Sequence, residues 1–271
     1  MYTNFKNILI GASVMLALAS CDEIDENDRF IHMDNVVPQR AVLLLDFTGQ
    51  NCVNCPAAHE IIDQLQTQYA DSLIAVSMHC GDFGLSVDRT NYERNRIGLM
   101  YAEGDEYDDE YNTIGAWPAG VVNMRKPAII DADWSASVRS ALTYAPKAVV
   151  VLNAWLDGDS VRVTADVSAS AQLNGHLNLW LVEDGIVAYQ RNGNTTIPDY
   201  VHNNVFRRAF NGVKGTPVTL SPDKAQHFEY ATSVAPNERD RINTANIKVV
   251  GFVNTSDGVA EAARVKVTPA P

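Results

Sequence analysis

The sequence predicts an α/β domain followed by an all-β sandwich, and two observations support this fold class. In the first half, apolar runs at 41–47 and 73–78 flank a helical pattern over residues 52–70, which is the order of a βαβ unit with a parallel strand pair. After Ala145-Pro146 the pattern changes to short β-rich runs separated by Gly, Asn and Pro turns, which is typical of an antiparallel sandwich.

The elements of the first half follow from their apolar spacing. Residues 41–47 form a continuous apolar run, as a strand buried on both faces requires, and Thr48-Gly49-Gln50-Asn51 ends it. The helical pattern that follows presents one apolar face. The remaining elements of this half are a helical insertion over 86–114, which includes an acidic stretch at 103–110, a strand over 119–123 and a last helix from Asp133 through Ser140.

The elements of the second half are short strands. Residues 149–156 and 160–167 are joined by Asp157-Gly158-Asp159, which is a strong signal for a β-hairpin. We therefore expect one domain at residues 37–146 and an immunoglobulin-like sandwich at 147–271. Further strands are expected at 177–182, 186–190, 205–210, 227–231, 247–254 and 262–267.

The composition is that of a globular protein and argues against one class of partner. Of the 271 residues, 46% are hydrophobic and 20% are charged. The 33 acidic residues outnumber the 21 Lys and Arg residues, for a formal net charge of −12. Such a chain repels phosphate backbones, so we expect no nucleic acid among its partners.

The first 20 residues have the pattern of a lipoprotein signal peptide. Lys6 precedes a weakly apolar run over 8–19, which is shorter than the roughly 20 residues that a bilayer span requires. Leu18-Ala19-Ser20-Cys21 resembles the bacterial lipobox, in which the cysteine is lipidated and becomes the first residue. This resemblance implies that Cys21 anchors the mature chain to a membrane. The alternative is a short signal peptide whose cysteine is incidental.

The segment at 21–36 is polar and acidic and is expected to be a tether. The acidic composition of residues 22–28 is typical of a solvated linker. They also resemble the acidic signals that send some lipoproteins of Bacteroides-like bacteria to the cell surface. In either case the mature protein folds outside the cytoplasm, where disulfides persist.

The chemistry of the sequence is concentrated at Cys52-Val53-Asn54-Cys55. A C-x-x-C that follows a buried strand and begins a helix is typical of a redox motif. The positive end of the helix dipole favours a thiolate, so Cys52 is expected to be the exposed attacking thiol and Cys55 the resolving thiol. A static disulfide is the main alternative. A zinc site formed by Cys52, Cys55, His59 and either His79 or Cys80 is another.

The order of these elements resembles the thioredoxin fold. In that family a cis-proline after the insertion faces the C-x-x-C, and Pro118 stands at the corresponding place, directly before a strand. The resemblance therefore implies catalytic roles for Cys52, Cys55 and Pro118. The sequence departs from the family because Asn51 replaces the usual Trp and Val-Asn replaces the usual Gly-Pro.

A closer resemblance covers most of the mature chain. Residues 47–59, together with the lipobox and a segment at 202–207, resemble an outer-membrane lipoprotein family of Bacteroidetes that is named for an antigen of about twenty-eight kilodaltons. This resemblance implies an outer-membrane or cell-surface location. It does not assign a substrate.

Two functions remain open at this point. The first is thiol–disulfide exchange with extracytoplasmic protein thiols through Cys52 and Cys55. The second is a non-catalytic surface interaction lipoprotein in which the Cys52–Cys55 disulfide is structural and the partner is unidentified. No nucleotide-binding loop is present in the sequence, and we expect no cofactor. We also expect Cys80 to pack inward and stay inert, with His79 pointing towards the C-x-x-C turn.

Overall fold

The largest sheet of the protein is mixed and has eight strands. The computed structural model describes residues 41–222 and 224–270. The predicted signal peptide, Cys21 and the tether at 21–36 lie outside the described residues. The helices and strands are β1 Val42–Thr48, α1 Cys55–Tyr69, β2 Leu73–His79, α2 Ala102–Tyr111, β3 Ala119–Val122, α3 Trp134–Ala141, β4 Ala148–Asp157, β5 Ser160–Ala169, β6 Leu173–Glu183, β7 Ile186–Asn192, β8 Thr195–His202, β9 Val205–Ala209, β10 Thr216–Leu220, β11 Gln226–Ser233, β12 Ile247–Thr255 and β13 Gly258–Lys266.

The large sheet combines strands from both halves of the chain. Its order is β13-β12-β6-β9-β2-β1-β3, and β10 pairs with β6. Strand β1 precedes α1 in the chain and β2 follows it, and the two strands pair in parallel, as the βαβ pattern predicts. Strand β9 joins the edge of β2 at the pair Ser77 and Val205. Strands β11, β5 and β4 form a separate three-stranded sheet, and β7 pairs with β8 in a two-stranded ribbon.

The predicted fold class, an α/β thioredoxin-like domain followed by an all-β immunoglobulin-like sandwich, is wrong. The protein is mostly β, and the strands of its second half extend the sheet of its first half. The prediction fails because β9 pairs with β2, so that strands from the two halves of the chain form one continuous sheet. Strand pairing between segments so far apart leaves no local pattern in the sequence.

Alternating side chains cover the two faces of the large sheet. One face carries a shared core in which Phe47 of β1 and Met78 of β2 lie in the same cluster as Trp180 of β6 and Tyr107 of α2. The opposite face packs against α1 and α3 near β1 and against the three-stranded sheet near β6 and β12. None of the helices in the described part of the chain is long and apolar enough to cross a bilayer.

Several elements differ from the predicted ones. Residues 86–114 contain short 3-10 turns and only one α-helix, α2. Strands β8 and β10 were not predicted. Most of β8 is exposed and polar, and β10 contains Pro217, so neither has the apolar alternation on which the prediction relied.

Candidate functional site: the Cys52–Cys55 disulfide and its cover

The disulfide between Cys52 and Cys55 lies where the loop after β1 enters α1. The sulfur atoms are 2.06 Å apart and the Cα atoms 5.5 Å apart. Cys55 is the first residue of α1, and Pro56 fits the first turn because the amide there needs no helical acceptor. Cys52 is only 3% exposed and Cys55 is fully buried. The expectation that Cys52 presents an exposed thiol is therefore wrong.

The β7–β8 ribbon covers this disulfide. The backbone amide of Arg191 donates to the Gln50 carbonyl at 2.8 Å, and that of Gly193 donates to the Val53 carbonyl at 3.0 Å. These two bonds join the end of the ribbon to both sides of Cys52. The second half of the chain thus supplies the cover of a motif that belongs to the first half.

Gln190 is the residue of the ribbon that contacts the motif most closely. Its side-chain amide is fully buried and donates to the Cys52 carbonyl at 2.9 Å and to the Gly49 carbonyl at 3.2 Å. The neighbouring Tyr189 hydroxyl hydrogen-bonds to the Asn51 side-chain oxygen at 3.1 Å. The sequence gives no signal for these contacts, because about 140 residues separate the partners.

Pro118 follows a cis peptide bond, as the sequence resemblance implied. Its neighbour Trp117 packs edge-to-face on Phe83 with ring centroids 5.4 Å apart. The Phe83 carbonyl in turn accepts a 2.9 Å hydrogen bond from the amide of Asn51. Gly49 permits this approach, since a Cβ atom there would lie 2.4 Å from the carbonyl carbon of Phe83.

A buried polar cluster lies beside the disulfide, between α1, the large sheet and the ribbon. His59 of α1 hydrogen-bonds to the Thr48 hydroxyl at 3.0 Å and to the Tyr200 hydroxyl at 2.9 Å. Its Nε2 atom is 3.6 Å from the carboxylate of Asp46. The Ser77 hydroxyl donates to Asp46 at 3.1 Å.

His79 and His202 complete this cluster. Both are 2% exposed, and their rings meet edge-to-face with centroids 5.2 Å apart. A cavity of about 30 Å³ lies between His59, these two rings and Tyr200, which is room for a water molecule. The sequence singles out His202 only as part of the segment at 202–207.

Burial controls the titration of the cluster. Loss of hydration lowers the pKa of His59 to about 4 and that of His202 to about 3, and it lowers the pKa of His79 well below its usual value. The same effect raises the pKa of Asp46 to about 7, against an opposing contribution from the Ser77 hydrogen bond. Near neutral pH the three imidazoles are uncharged.

Cys80 and His79 point to opposite faces of the sheet, as adjacent strand residues do. Cys80 is a fully buried free cysteine in the core shared with Phe47, and burial raises the pKa of its thiol well above the usual value. His79 faces His202 on the other side. Within the described ranges no group of three or more His, Cys, Asp and Glu residues is arranged to hold a metal. The predicted zinc alternative therefore has no support.

Comparison with protein families identifies the chain. Residues 104–270 match the model of the family described as outer membrane protein Omp28. The chain belongs to the Omp28 family. The Omp28 match places the protein at the outer membrane, as predicted. The matched region begins after the Cys52–Cys55 motif, so the motif itself lies outside it.

Two solved structures share the fold of this Omp28-family chain. HBP35 of Porphyromonas gingivalis has a TM-score of 0.66 at 14% identity, over 84% of this chain and 76% of that one. Protein AGR_C_4864 from Agrobacterium tumefaciens has a TM-score of 0.51 at 14% identity, over 84% of this chain and 95% of that one. A domain of the outer membrane lipoprotein Omp28 from Porphyromonas gingivalis is 20% identical over 46% of this chain and 92% of that one, with a TM-score of 0.36. A comparison with curated proteins gives no match.

Proposed function

We propose that this Omp28-family protein is a lipid-anchored outer-membrane protein that binds an unidentified partner at the cell surface. In this proposal the lipid is attached at Cys21, and the Cys52–Cys55 disulfide is a structural cross-link. Family membership supports the location. The acidic net charge of −12 supports a partner other than nucleic acid.

The observation that carries the proposal is the burial of the disulfide under the β7–β8 ribbon. Reactive cysteines lie in partly exposed positions, because a thiolate must reach the sulfur that it attacks. Cys52 is 3% exposed, and the side chain of Gln190 and the backbone of Gly193 are bonded to the loop around it. With the ribbon in this position, a protein thiol has no path to either sulfur.

Thiol–disulfide exchange with extracytoplasmic protein thiols is the second candidate. The observation in its favour is the position of Cys55 as the first residue of α1, where the helix dipole stabilises a thiolate on the C-x-x-C motif. In this candidate Cys52 attacks, Cys55 resolves and Pro118 lines the site.

The reduction potential of the Cys52–Cys55 pair separates the two functions. We expect a value below about −300 mV, as structural disulfides have, whereas a value between about −270 and −120 mV would support exchange. The measurement is equilibration of the purified protein with redox buffers, read by alkylation and mass spectrometry.

A trapping experiment tests the same distinction in cells. The Cys55→Ala variant of an exchange protein accumulates mixed disulfides through Cys52, and we expect none here. Cys80→Ala is the matched control, because it removes a buried thiol that is outside the motif. Mixed disulfides that appear in Cys55→Ala and not in Cys80→Ala would favour exchange over the structural cross-link.

A further inference from the structure

The β7–β8 ribbon depends on its contacts with the first half of the chain. Within the described residues, β7 and β8 pair only with each other and with neither of the two larger sheets. An isolated two-stranded ribbon is marginally stable in water. The position of the ribbon is therefore set by its contacts with the C-x-x-C loop and the polar cluster, and by Ile186, which packs in a buried apolar cluster with Leu99 and Val205.

Both ends of the ribbon leave the large sheet at one place. Strands β6 and β9 flank it, and their residues Glu183 and Val205 are paired. Gly185 has a φ of +72° and Asn204 a φ of +57°, so the chain bends on both sides of the ribbon. These two positions mark the junction of the ribbon with the large sheet, where the Asn204 carbonyl accepts a 2.7 Å hydrogen bond from the Ser77 amide and its side-chain oxygen accepts one from Lys248 at 2.9 Å.

At the base of the ribbon, His202 of β8 faces His79 of β2. In the described part of the chain, neither ring nitrogen of His79 nor of His202 forms a side-chain hydrogen bond that meets normal geometry. No side-chain acceptor among the described residues therefore balances a positive charge on the facing rings. A charge on either ring would be buried beside the other imidazole, 5.2 Å away.

The charged and titratable groups around these rings do not supply that balance. His59 of α1 and Arg207 of β9 are basic, and both disfavour a charge on His79. The backbone carbonyls of Ala188 and Tyr189 favour a charged His202, but burial outweighs them. The carboxyl groups whose charges act on the nearby Tyr200 are Asp46 of β1, and Asp63 and Glu60 of α1. Asp184 lies at the foot of the ribbon, where its carboxylate accepts from the Asn204 amide and pairs with Lys248.

Asp46 does not balance a charge on the rings in acid. Burial raises the pKa of Asp46 to about 7, so it is neutral when histidine begins to take up protons. Burial also raises the pKa of the partly exposed Asp63. The cluster therefore becomes more positive as the pH falls.

We propose that the β7–β8 ribbon is an acid-released lid over the Cys52–Cys55 disulfide. Protonation of His79 and His202 separates the two rings, the ribbon moves away from the C-x-x-C loop while Asn204 stays bonded to β2, and the disulfide becomes accessible. The lid operates whether the disulfide is a cross-link or an exchange site, because it concerns only access to the sulfur atoms.

The size of the effect follows from the histidine titration. Each histidine is neutral in the closed state and has its ordinary pKa of about 6.5 in the open state. Its protonation therefore makes the equilibrium constant for opening roughly thirtyfold larger at about pH 5 than at about pH 7.5. His79 and His202 each contribute such a factor. We therefore expect at least a thirtyfold increase in access to the disulfide over this range.

The experiment measures reduction of the disulfide in the full chain by a water-soluble phosphine. The phosphine attacks one sulfur, and water then supplies the oxygen of the phosphine oxide and the protons of the two thiols. The rate is divided by the rate for oxidised glutathione at the same pH, which removes the pH dependence of the reagent. Near-UV circular dichroism is recorded in parallel to show that the core stays folded.

Two variants identify the groups that respond. In the double variant His79→Phe, His202→Phe we expect the acceleration in acid to fall at least tenfold, because the rings can no longer be charged. His227→Gln is the matched control, since His227 is an exposed histidine on β11 that is 52% accessible, and it should keep the full acceleration.

Hydrogen exchange of the unmodified chain tests the lid without any variant. After correction for intrinsic rates, protection at the amides of Arg191 and Gly193 should fall in acid while protection in β1 and β2 is retained. No acceleration in the unmodified chain, an unchanged acceleration in the double variant, or loss of near-UV signal and of protection in β1 at the same pH would each overturn the proposal.

Discussion

Trp180 of β6 donates its indole N–H to the Tyr107 hydroxyl of α2 at 2.9 Å, and the two rings meet edge-to-face. The Tyr107 hydroxyl in turn donates to the Val213 carbonyl at 2.8 Å. This chain of bonds joins the insertion of the first half to a central strand of the second half. It lies in the core that both halves share.

Tyr107→Phe tests this connection. Removal of the hydroxyl leaves the buried Trp180 donor and the Val213 acceptor without their present partner, so we expect a loss of about 1–3 kcal/mol in the free energy of unfolding. Urea denaturation measures it. Tyr144→Phe is the control, because Tyr144 is 55% exposed and should change stability little. Equal effects of the two variants would contradict the structural role of the Tyr107 hydroxyl.

Asp46→Asn should stabilise the protein in alkaline solution more than in acid. Burial raises the pKa of Asp46 to about 7, above its ordinary value of 3.8, so the folded state binds the extra proton between these two values. The stability linked to this proton is present below about pH 4 and is lost as the pH rises through 7. Asparagine cannot ionise and avoids this loss.

The expected gain of Asp46→Asn over the unmodified chain grows by roughly 2–3 kcal/mol between about pH 5 and about pH 8.5. Calorimetric unfolding at the two pH values measures this change. Asp257→Asn serves as the control because the Asp257 side chain is 71% exposed. A gain that does not change with pH would show that Asp46 is already ionised in the folded protein.

The sequence was sufficient to predict the elements that have strong local patterns. The apolar runs of β1 and β2 predicted a parallel pair, and Asp157-Gly158-Asp159 predicted the β4–β5 hairpin. The spacing of Cys52 and Cys55 placed the motif at the start of α1. In each case the deciding information lies within a short stretch of chain.

The long-range contacts were not predictable in this way. The pairing of Ser77 with Val205 joins two segments whose local patterns are compatible with separate sheets. In the sequence Gln190 cannot be distinguished from any other polar residue of a strand. Only the folded chain shows that it covers Cys52. His202 becomes notable only when it meets the ring of His79.

Asp240→Ala should destabilise the protein strongly. Asp240 accepts hydrogen bonds from Arg207, Arg208 and Tyr101, and the Arg207 side chain is only 4% exposed. Removal of the carboxylate leaves the buried Arg207 with Glu183 at 3.0 Å as its remaining ion-pair partner. We expect a loss approaching about 3–5 kcal/mol, which is typical when one partner of a buried ion pair is removed.

Asp257→Ala is the matched comparison for this prediction. Asp257 forms an exposed ion pair with Lys147 at 3.3 Å, and such pairs contribute about 0–1 kcal/mol. Thermal unfolding of both variants measures the difference. Similar losses in the two variants would show that the buried network around Arg207 adds little to stability.

Cys21→Ala should prevent lipid attachment. The Leu18-Ala19-Ser20-Cys21 junction motivates this prediction, and lipid attachment at Cys21 is part of the proposed function. Metabolic labelling with a fatty-acid probe should mark the unmodified chain and not the variant, which should be released or remain unprocessed. Cys80→Ala should be labelled normally. Persistent labelling of Cys21→Ala would remove the anchor from the proposal.

The position of β9 between β6 and β2 has a consequence for export. A secreted chain crosses the inner membrane from its N-terminus, so Ser77 emerges long before its strand partner Val205. Until then the hydrogen-bonding edge of β2 is open, and open strand edges invite aggregation. We therefore expect the chain to be most prone to aggregation before Val205 has crossed the inner membrane.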